Sequence, residues 1–388
     1  MLKRTPLFAA HQLLGAHLVE FGGWEMPVQY TGIVDEHQAV RQAAGMFDIS
    51  HMGEFRVTGP GAAAFLNHAL TNDIHRLAIG QGQYTLLCNE HGGVVDDLYG
   101  YRLDTDDYLL IVNASRIGAD WDWLQGQVDL CRAPDGFELR DESDATAAIA
   151  VQGPRVVEFI NDTVAGGSID GAMVPHVTDL KKNQVGGFVF QGVPIYVART
   201  GYTGEDGFEL MLPASLAEAV WNTLLTCGRP AGLKPAGLGA RDTLRTEMGF
   251  PLYGHELDEE TTPIEAGLTH FVALDKGEFV GRATLAAQKE AGVRRRCVAF
   301  RMTEKSAPPR PHYAIWSTGA TAVAIGEVVS GTPSPTLGVG IGMGYVTPGF
   351  AVPGTEMAIE IRGRRVPAMV VAKPIYRRAA PVVPPKAS

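Results

Sequence analysis

The order of apolar and polar residues at the start of the chain predicts two helices followed by a strand. Thr5 and Pro6 form a helix-start signal for residues 6–15, because proline is favoured at the first helical position. Over residues 33–45, apolar side chains recur with the spacing of one helix face. Apolar and polar residues then alternate over residues 46–60, which is typical of a half-buried strand.

The next segment predicts a compact α+β unit. Residues 61–74 and 115–128 have the pattern of short helices. Between them, residues 81–115 predict two or three strands, with turn-forming residues at 90–93 and 104–107. Helix, antiparallel strands and helix in this order pack as one layered unit.

Strands and helices continue after this unit, and the C-terminal part is almost entirely strand-like. Strand patterns return near residue 150, and residues 276–292 predict a short helical linker. From there to about residue 377 the chain is a series of strands separated by Gly/Pro turns, which predicts a barrel or a sandwich. We expect the tail, residues 381–388, to be disordered.

The composition indicates a folded protein with more than one domain. The 388 residues correspond to about 2.6 domains at roughly 150 residues each. Hydrophobic residues make up 45% of the chain and charged residues 20%, which excludes an intrinsically disordered protein. The 46 glycines and 24 prolines indicate many turns, and so a β-rich architecture rather than a helical bundle.

Charge and absent motifs narrow the class further. A net charge of −10 repels phosphate, so we expect no nucleic-acid partner. No apolar run approaches the ~20 residues of a membrane helix, so no membrane association is expected. The cysteines are widely spaced without a C-x-x-C pair, and no H-E-x-x-H motif occurs, which disfavours a disulfide framework and a zinc site. The sequence therefore predicts a soluble, cytoplasmic protein without a metal.

Two glycine-rich stretches do not match nucleotide-binding loops. Residues 338–344 read GVGIGMG, which lacks the last glycine of the dinucleotide fingerprint and is followed by a strand pattern rather than a helix. Residues 237–242, GLGARD, fail the same test at their last position. We interpret the first stretch as a glycine-rich strand or bulge region.

The pair Asp96-Asp97 begins a strand and places one carboxylate on each face. Neighbouring residues of a strand point to opposite sides, so only one of the two aspartates faces a given cavity. Asp97 shares its face with Tyr99 and Tyr101, and such a face suits a ligand with an aromatic ring and nitrogen atoms. The pattern alone also allows two solvent-exposed aspartates beside a turn.

A second acidic candidate lies in the segment RTGYTGEDGFEL. Glu209 occupies a strand-like run that follows Phe208, so its side chain is able to face inward. Arg241 lies at a helix start and is a possible partner for that carboxylate. Exposed positions for both residues on unrelated elements remain the alternative.

Taken in order, the motifs resemble the aminomethyltransferases of the glycine cleavage system, the T-protein family. The resemblance runs from Lys3 to about Arg377, so it covers nearly the whole chain. The matching stretches include KRTPLF, FGGWEMPVQY, CNEHGGVVDDLYGYRL, RTGYTGEDGFEL, AGLGARDTLR and PLYGHELDEETTPIEAGL.

The resemblance implies an α+β fold: a three-domain cloverleaf of antiparallel-sheet domains around a central folate cavity. Transferred to this chain, a discontinuous folate-binding domain takes residues 1–52 and 140–275. Residues 53–139 form the second domain, which is the α+β unit predicted above. Residues 276–378 form a C-terminal β-barrel.

The family's reaction takes an aminomethyl group from lipoylated H-protein, releases ammonia and forms methylene-tetrahydrofolate. The implied co-substrate is tetrahydrofolate, the implied partner is the H-protein, and the family's catalytic aspartate matches Asp97. Glu209 is then expected to bind the pterin amino and ring nitrogens, and Arg241 the pterin carbonyl or the glutamate tail. The folate contacts implied by motif are Met52, Tyr84, Tyr101, Asn113, Tyr202, Glu209 and Arg241. Tyr376 and Arg377 match positions that border the lipoyl entrance.

The chain departs from the family pattern in two places. Residues 269–271 read Thr-His-Phe where the family commonly has a tryptophan, and Gly100 stands where a larger residue is usual. Because the surface is acidic, docking of H-protein is expected to use local basic residues, although a solvated face is the alternative. The candidates are Arg294, Arg295, Arg296, Arg362, Arg364 and Arg365.

Two other functions remain open from the sequence. One is a related folate-dependent demethylase of a small methylated amine or sulfonium compound. The other is a non-catalytic folate-binding regulatory or iron–sulfur-assembly protein, a group that typically carries a K-G-C-x-x-G-Q signature. That signature does not occur in this chain.

Overall fold

A computed structural model describes residues 2–131 and 136–378 of the chain. The predicted disordered tail, residues 381–388, lies outside these residues. The first described segment contains α1 (Phe8–Leu13), β1 (His17–Phe21), β2 (Trp24–Gln29), α2 (Ile33–Gln42), β3 (Ala44–Asp48), β4 (Gly53–Thr58), α3 (Ala62–Ala69), β5 (Gln81–Cys88), β6 (Val94–Asp104), β7 (Asp107–Val112) and α4 (Ile117–Val128).

The second segment continues with two further groups of elements. Up to residue 248 these are β8 (Glu138–Asp141), β9 (Thr146–Gln152), α5 (Ile160–Thr163), β10 (Asp170–Gly171), β11 (Val185–Phe190), β12 (Val193–Ala198), β13 (Gly207–Pro213), α6 (Ala217–Gly228), β14 (Leu233–Pro235) and α7 (Leu238–Met248). The remainder contains α8 (Arg282–Ala291), β15 (Arg296–Met302), β16 (Ala314–Ser317), β17 (Ala324–Pro333), β18 (Gly340–Val346), β19 (Glu356–Ile361) and β20 (Arg364–Val371).

Two of the predicted helices have different ends in the structure. Helix α1 begins only at Phe8. The Thr5 hydroxyl accepts a hydrogen bond from the Leu7 N–H at 3.3 Å in the turn before the helix and donates to Asp48 at 2.6 Å. The helix predicted over residues 33–45 ends at Gln42, because Gly45 pairs with Gln152 as part of β3. In both cases a contact with a residue distant in sequence outweighs the local pattern.

The strands form three large sheets and one small hairpin. A seven-stranded sheet has the order β10-β11-β12-β13-β9-β3-β14, and all its pairs are antiparallel except β14 with β3. A five-stranded antiparallel sheet has the order β5-β6-β7-β4-β8, and β1 pairs with β2. The last six strands close a barrel in the order β15-β18-β17-β16-β19-β20, so the barrel prediction is confirmed.

The large sheet joins two separated parts of the chain. Strand β3 lies before the five-stranded sheet in sequence, whereas β9 to β14 follow it, and yet they pair side by side. Strand β8, residues 138–141, pairs with β4 in the five-stranded sheet. The domain boundaries set from the resemblance, at 52/53, 139/140 and 275/276, stay predictions.

Two details of the sequence are explained by the sheets. Residues 340–346 form β18, opposite a register shift in β17, which confirms a glycine-rich strand beside a bulge. An added Cβ at Gly100 would meet the side chain of Leu110 at 3.4 Å, an ordinary contact, on the face of β6 opposite Tyr99 and Tyr101. The departure at Gly100 therefore does not change the face that carries Asp97.

A mixed hydrophobic core joins the five-stranded and seven-stranded sheets. Tyr101 and Leu109 of the smaller sheet pack in one cluster with Phe47, Ala150 and Met211 of the larger one. This core fixes β6, which carries Asp97, relative to β13, which carries Glu209. Among the described residues, no helix is long and apolar enough to cross a membrane.

Candidate functional site

Two cavities meet between the five-stranded and seven-stranded sheets. The inner cavity has a volume of about 360 Å³ and is lined by residues such as Glu209 and Arg241. The outer cavity has a volume of about 960 Å³ and is lined by residues such as Lys182 and His270. Seven residues line both: Tyr84, Asp97, Tyr99, Thr200, Gly201, Tyr202 and Pro251. A ligand in either cavity therefore reaches Asp97.

The inner cavity brings together eight of the ten residues implied by the resemblance. They come from six separate stretches of chain, which become adjacent because the two sheets pack against each other. The eight are Met52, Tyr84, Asp97, Tyr101, Asn113, Tyr202, Glu209 and Arg241. Their individual roles stay predictions, but their common location is a property of the fold.

Tyr376 and Arg377 line neither cavity. The guanidinium of Arg41 lies 4.7 Å from the centre of the Tyr376 ring, and the Tyr376 backbone N–H donates to the carbonyl of Glu247 at 2.9 Å. Arg377 is exposed. From the same segment, Lys373 and Pro374 line the outer cavity instead. The expected place of Tyr376 and Arg377 at the lipoyl entrance stays a prediction.

Asp97 is held by hydrogen bonds to both carboxylate oxygens. The Tyr84 hydroxyl donates to Oδ2 at 2.9 Å, and the Asn113 side-chain Nδ2 lies 3.0 Å from Oδ1. Tyr84 faces Asp97 because β5 and β6 are antiparallel neighbours with Leu86 paired to Asp97. Each oxygen retains a second acceptor site toward the cavities.

The environment of Asp97 raises its pKa to about 7. Burial is the largest cause, and the neighbouring Asp96 charge adds to it. The hydrogen bonds from Tyr84 and Asn113 favour the ionised form and oppose this rise. The carboxyl of Asp97 therefore gains and loses a proton near neutral pH, as a group that shuttles protons must.

Glu209 lies in a polar chain within the inner cavity. Its Oε2 accepts a hydrogen bond from the Thr200 hydroxyl at 2.5 Å, and the hydroxyls of Thr200 and Tyr101 are 2.9 Å apart. Burial raises the pKa of Glu209, while Thr200 and Arg241 oppose that rise. The second carboxylate oxygen remains available to a ligand.

Arg241 does not form the ion pair that the sequence suggests. No salt bridge joins it to Glu209 within the described part of the chain, although both line the inner cavity. Its guanidinium lies 4.8 Å from the centre of the Tyr202 ring, and burial lowers its pKa. The guanidinium donors accordingly face the cavity, next to an aromatic wall.

His51 is a cavity residue that the sequence reasoning missed. Its side chain is buried, its ring packs edge-on against Phe21, and its Nδ1 has no partner among the described residues. Burial lowers its pKa to about 4, so the imidazole is neutral at physiological pH. In the sequence, its position beside Met52 in the motif SHM is the feature that could have indicated a cavity residue.

The outer cavity carries basic side chains that were not among the predicted docking residues. Its basic lining residues are Arg76, Lys182, Arg199 and Lys373. His270, from the segment 269–271 that differs from the family pattern, lines the same cavity. Arg199 is paired with Asp206 at 2.6 Å. The predicted docking residues, from Arg294 to Arg365, line neither cavity.

Within the described residues, no group of three or more His, Cys, Asp or Glu side chains is arranged to hold a metal ion. The candidate site thus consists of titratable, hydrogen-bonding and aromatic side chains.

Family models match both parts of this architecture. The GCVT N-terminal domain matches residues 7–276, and the Glycine cleavage T-protein C-terminal barrel domain matches residues 295–377. The chain belongs to the glycine cleavage T-protein family. The family that the motifs indicate is therefore confirmed.

Relatives within the T-protein family match over almost their whole length. The aminomethyltransferase of Moorella thermoacetica is 47% identical over 377 residues, covering 97% of this chain and 98% of that protein. The aminomethyltransferase of Desulforamulus reducens is 45% identical over 380 residues, covering 97% of this chain and 99% of that protein.

A solved T-protein supports the fold. The crystal structure of the glycine cleavage system aminomethyltransferase T from Bartonella henselae matches with a TM-score of 0.86 at 33% identity, covering 97% of this chain and 98% of that one. The α+β fold with a C-terminal barrel, the enzyme class of aminomethyltransferase and tetrahydrofolate as co-substrate are thereby confirmed. Neither alternative function finds support in these matches.

Proposed function

We propose that the chain transfers the aminomethyl group of lipoylated H-protein to tetrahydrofolate and releases ammonia. The observation that carries this proposal is the position of Asp97, a carboxyl with a pKa of about 7 in the wall shared by two cavities. One cavity is suited to the acceptor and the other to the donor. The reaction is that of the T-protein family. We also propose that the protein acts in the cytoplasm, as the widely spaced cysteines predict.

The inner cavity suits the pterin ring of tetrahydrofolate. A pterin presents N–H donors on one edge and a carbonyl acceptor nearby. Glu209 offers a carboxylate acceptor, and Arg241 offers guanidinium donors that no described side chain occupies. Tyr99 and Tyr101 add aromatic surface. A concave, largely apolar site with a few fixed polar groups is the usual form of such a binding pocket.

The outer cavity suits the lipoyl arm of H-protein. Its volume of about 960 Å³ leaves room for an extended chain beside the folate tail. Lys182 and Lys373 place two basic side chains in the lining of this cavity, whereas the charge of Arg199 is balanced by Asp206. Basic groups at an opening attract acidic partners and anionic groups.

Asp97 is placed to move the protons that the transfer requires. Bound tetrahydrofolate supplies the nitrogen atoms that accept the one-carbon unit. The Asp97 carboxylate takes up a proton where a folate nitrogen loses one, and returns it where nitrogen leaves as ammonia. Tyr84 and Asn113 keep the carboxylate oriented, and the aromatic wall limits the access of water.

This role predicts a pH dependence of kcat/KM with a limb near pH 7, where Asp97 titrates. The carboxylate is the active form in the enzyme that binds tetrahydrofolate, so activity rises as the pH increases through that pKa and falls below it. The measurement is kcat/KM for tetrahydrofolate against pH at saturating aminomethylated H-protein. A flat profile between pH values well below and well above the limb would contradict the assignment.

Tyr84→Phe tests the support of that carboxylate. Loss of the Tyr84 hydrogen bond is expected to raise the pKa of Asp97, so the limb moves to higher pH. Activity at neutral pH should fall roughly tenfold, the effect of losing one charge-assisted hydrogen bond. Tyr108→Phe, in the neighbouring strand β7 and outside both cavities, is the matched control. An unmoved limb in Tyr84→Phe would exclude this support.

A donor comparison tests the proposed function itself. The purified chain, supplied with tetrahydrofolate, should release ammonia from aminomethylated H-protein and show no turnover of free methylated amines or sulfonium compounds. Turnover of a free small molecule, with none of the H-protein substrate, would assign the chain to the demethylases instead. Folate binding without any transfer would indicate a regulatory protein.

A further inference from the structure

Two buried carboxyl groups, Asp96 and Asp120, lie on the side of β6 that faces away from the cavities. Asp96 is on the opposite face of β6, and Asp120 is on α4, which packs against that strand. Both side chains are completely buried, and neither lines a cavity. The folate site as described above makes no use of Asp120.

Asn113 connects this pair to the catalytic carboxyl. Its backbone N–H donates to Asp96 Oδ2 at 3.0 Å, and its side-chain Nδ2 donates to Asp96 Oδ1 at 2.9 Å. The same Nδ2 lies 2.9 Å from the carbonyl oxygen and 3.0 Å from Oδ1 of Asp97. The orientation of Asn113 toward Asp97 is therefore set by the Asp96 carboxylate, which accepts two of its bonds.

Asp120 has no donor of its own. Neither of its carboxyl oxygens meets an N–H or O–H donor among the described residues. Where α4 packs on β6, its carboxyl shares a side-chain hydrogen bond with that of Asp96. Two ionised carboxylates in contact repel each other in a buried site, whereas a single proton shared between them makes a strong hydrogen bond. The Asp96 carboxylate already accepts two hydrogen bonds from Asn113, whereas Asp120 accepts none among the described residues, so the proton belongs on Asp120. Burial and the Asp96 charge raise the pKa of Asp120 in the same direction.

The other charged groups around the pair do not replace this proton. Arg116 donates through Nε to the carbonyl of Val95 at 2.9 Å and through Nη2 to the carboxylate of Glu259 at 2.6 Å. Tyr253 lies against the same guanidinium at 4.6 Å. On the far side of Asp97, the facing titratable groups are the hydroxyls of Tyr84 and Tyr202.

We propose that Asp120 is a positioning residue: as a neutral acid it donates a hydrogen bond to the Asp96 carboxylate, which in turn holds Asn113 against Asp97. The inference rests on the proposed function for its kinetic consequence, but the proton on Asp120 is a property of the folded chain alone. The atoms that donate and accept are all protein atoms, so no ligand is needed to set the arrangement.

Replacing Asp120 with Asn or Leu separates positioning from packing. Asp120→Asn keeps a donor toward Asp96, and we expect a kcat and a pH limb close to those of the unaltered chain. Asp120→Leu fills the space but removes the donor, so Asp96 takes up the proton itself and loosens Asn113. The kcat should fall roughly tenfold or more, with the KM for tetrahydrofolate little changed because Glu209 and Arg241 are untouched.

The pH limb gives the readout that a purely structural role would not move. A protonated Asp96 no longer raises the pKa of Asp97, whereas a looser Asn113 lowers that pKa less. The Asp96 charge is the larger of these two influences, so in Asp120→Leu the limb shifts to lower pH. Asp122→Leu, at an exposed position of the same helix, is the matched control and should leave both limb and kcat unchanged. A loss of activity that follows the unfolded fraction, with an unmoved limb, would overturn the proposal.

An infrared difference spectrum tests the proton without any assay of transfer. The spectrum of the unaltered chain minus that of Asp120→Asn at neutral pH should show the carbonyl band of one protonated carboxylic acid. Absence of that band overturns the proposal even if the transfer reaction is found. Its presence in a chain that transfers nothing would instead place the failure in the proposed function.

Discussion

Replacing Asp97 with asparagine is expected to lower kcat by roughly 10²- to 10⁴-fold, the usual contribution of a positioned proton-transfer group. The amide keeps the size of the carboxyl and part of its hydrogen bonding to Tyr84 and Asn113, but it takes up no proton. Because the pterin-binding side chains Glu209 and Arg241 are unchanged, the KM for tetrahydrofolate should move far less than kcat.

The stability of the same variant distinguishes lost chemistry from lost structure. Burial raises the pKa of Asp97 above that of an unfolded aspartate, so at neutral pH the carboxyl favours the unfolded state. This penalty is absent at low pH and grows as the pH rises through the two pKa values. Asp97→Asn should therefore unfold at the same temperature or higher, measured by circular dichroism. Asp104→Asn, at the exposed end of the same strand, is the control. A fully active Asp97→Asn would refute the assignment.

Glu209→Gln is expected to raise the KM and the dissociation constant for tetrahydrofolate by roughly 10- to 100-fold. A charge-assisted hydrogen bond contributes about 1.5–3 kcal/mol, and each 1.4 kcal/mol corresponds to a factor of ten in affinity. The glutamine replaces the carboxylate acceptor with an amide whose N–H₂ end opposes the N–H donors of the pterin. The kcat should change less, because Asp97 and its partners are not affected.

Titration calorimetry with tetrahydrofolate measures this effect without the H-protein. Glu218→Gln, on the exposed surface of α6, provides a control with the same change of charge. Thr200 still donates to position 209 in the glutamine variant, so the local fold should survive. An unaltered affinity in Glu209→Gln would mean that the pterin is bound elsewhere in the cavity.

The alternation of side chains along β6 made Asp97 predictable from the sequence. Strand geometry alone places Asp97, Tyr99 and Tyr101 on one face, and all three line the inner cavity. The motifs added Met52, Asn113 and Tyr202, which no local pattern singles out. What the motifs convey is the adjacency of distant segments. That adjacency arises because β3 and β9 pair within the seven-stranded sheet, which packs against the five-stranded sheet.

The remaining parts of the site depend on distances that no spacing in the sequence contains. The sequence suggests an ion pair between Glu209 and Arg241, yet they line one cavity without forming a salt bridge. The resemblance implies a place for Tyr376 at the lipoyl entrance, and this stays a prediction, because the structure shows only that its ring packs against Arg41. Asp120 looks like an ordinary polar residue of α4 until the helix packs on β6 and buries it against Asp96.

A single-turnover experiment with aminomethylated H-protein shows whether ammonia release and one-carbon transfer are a single reaction of this chain that depends on Asp97. The chain is mixed with the loaded H-protein in the presence or absence of tetrahydrofolate, and ammonia and methylene-tetrahydrofolate are followed together. We expect both products to appear in equal amounts and at the same rate. Tetrahydrofolate should strongly accelerate ammonia release, and Asp97→Asn should slow the formation of both products. Ammonia released without formation of methylene-tetrahydrofolate, or equal rates in Asp97→Asn and the unaltered chain, would contradict this expectation.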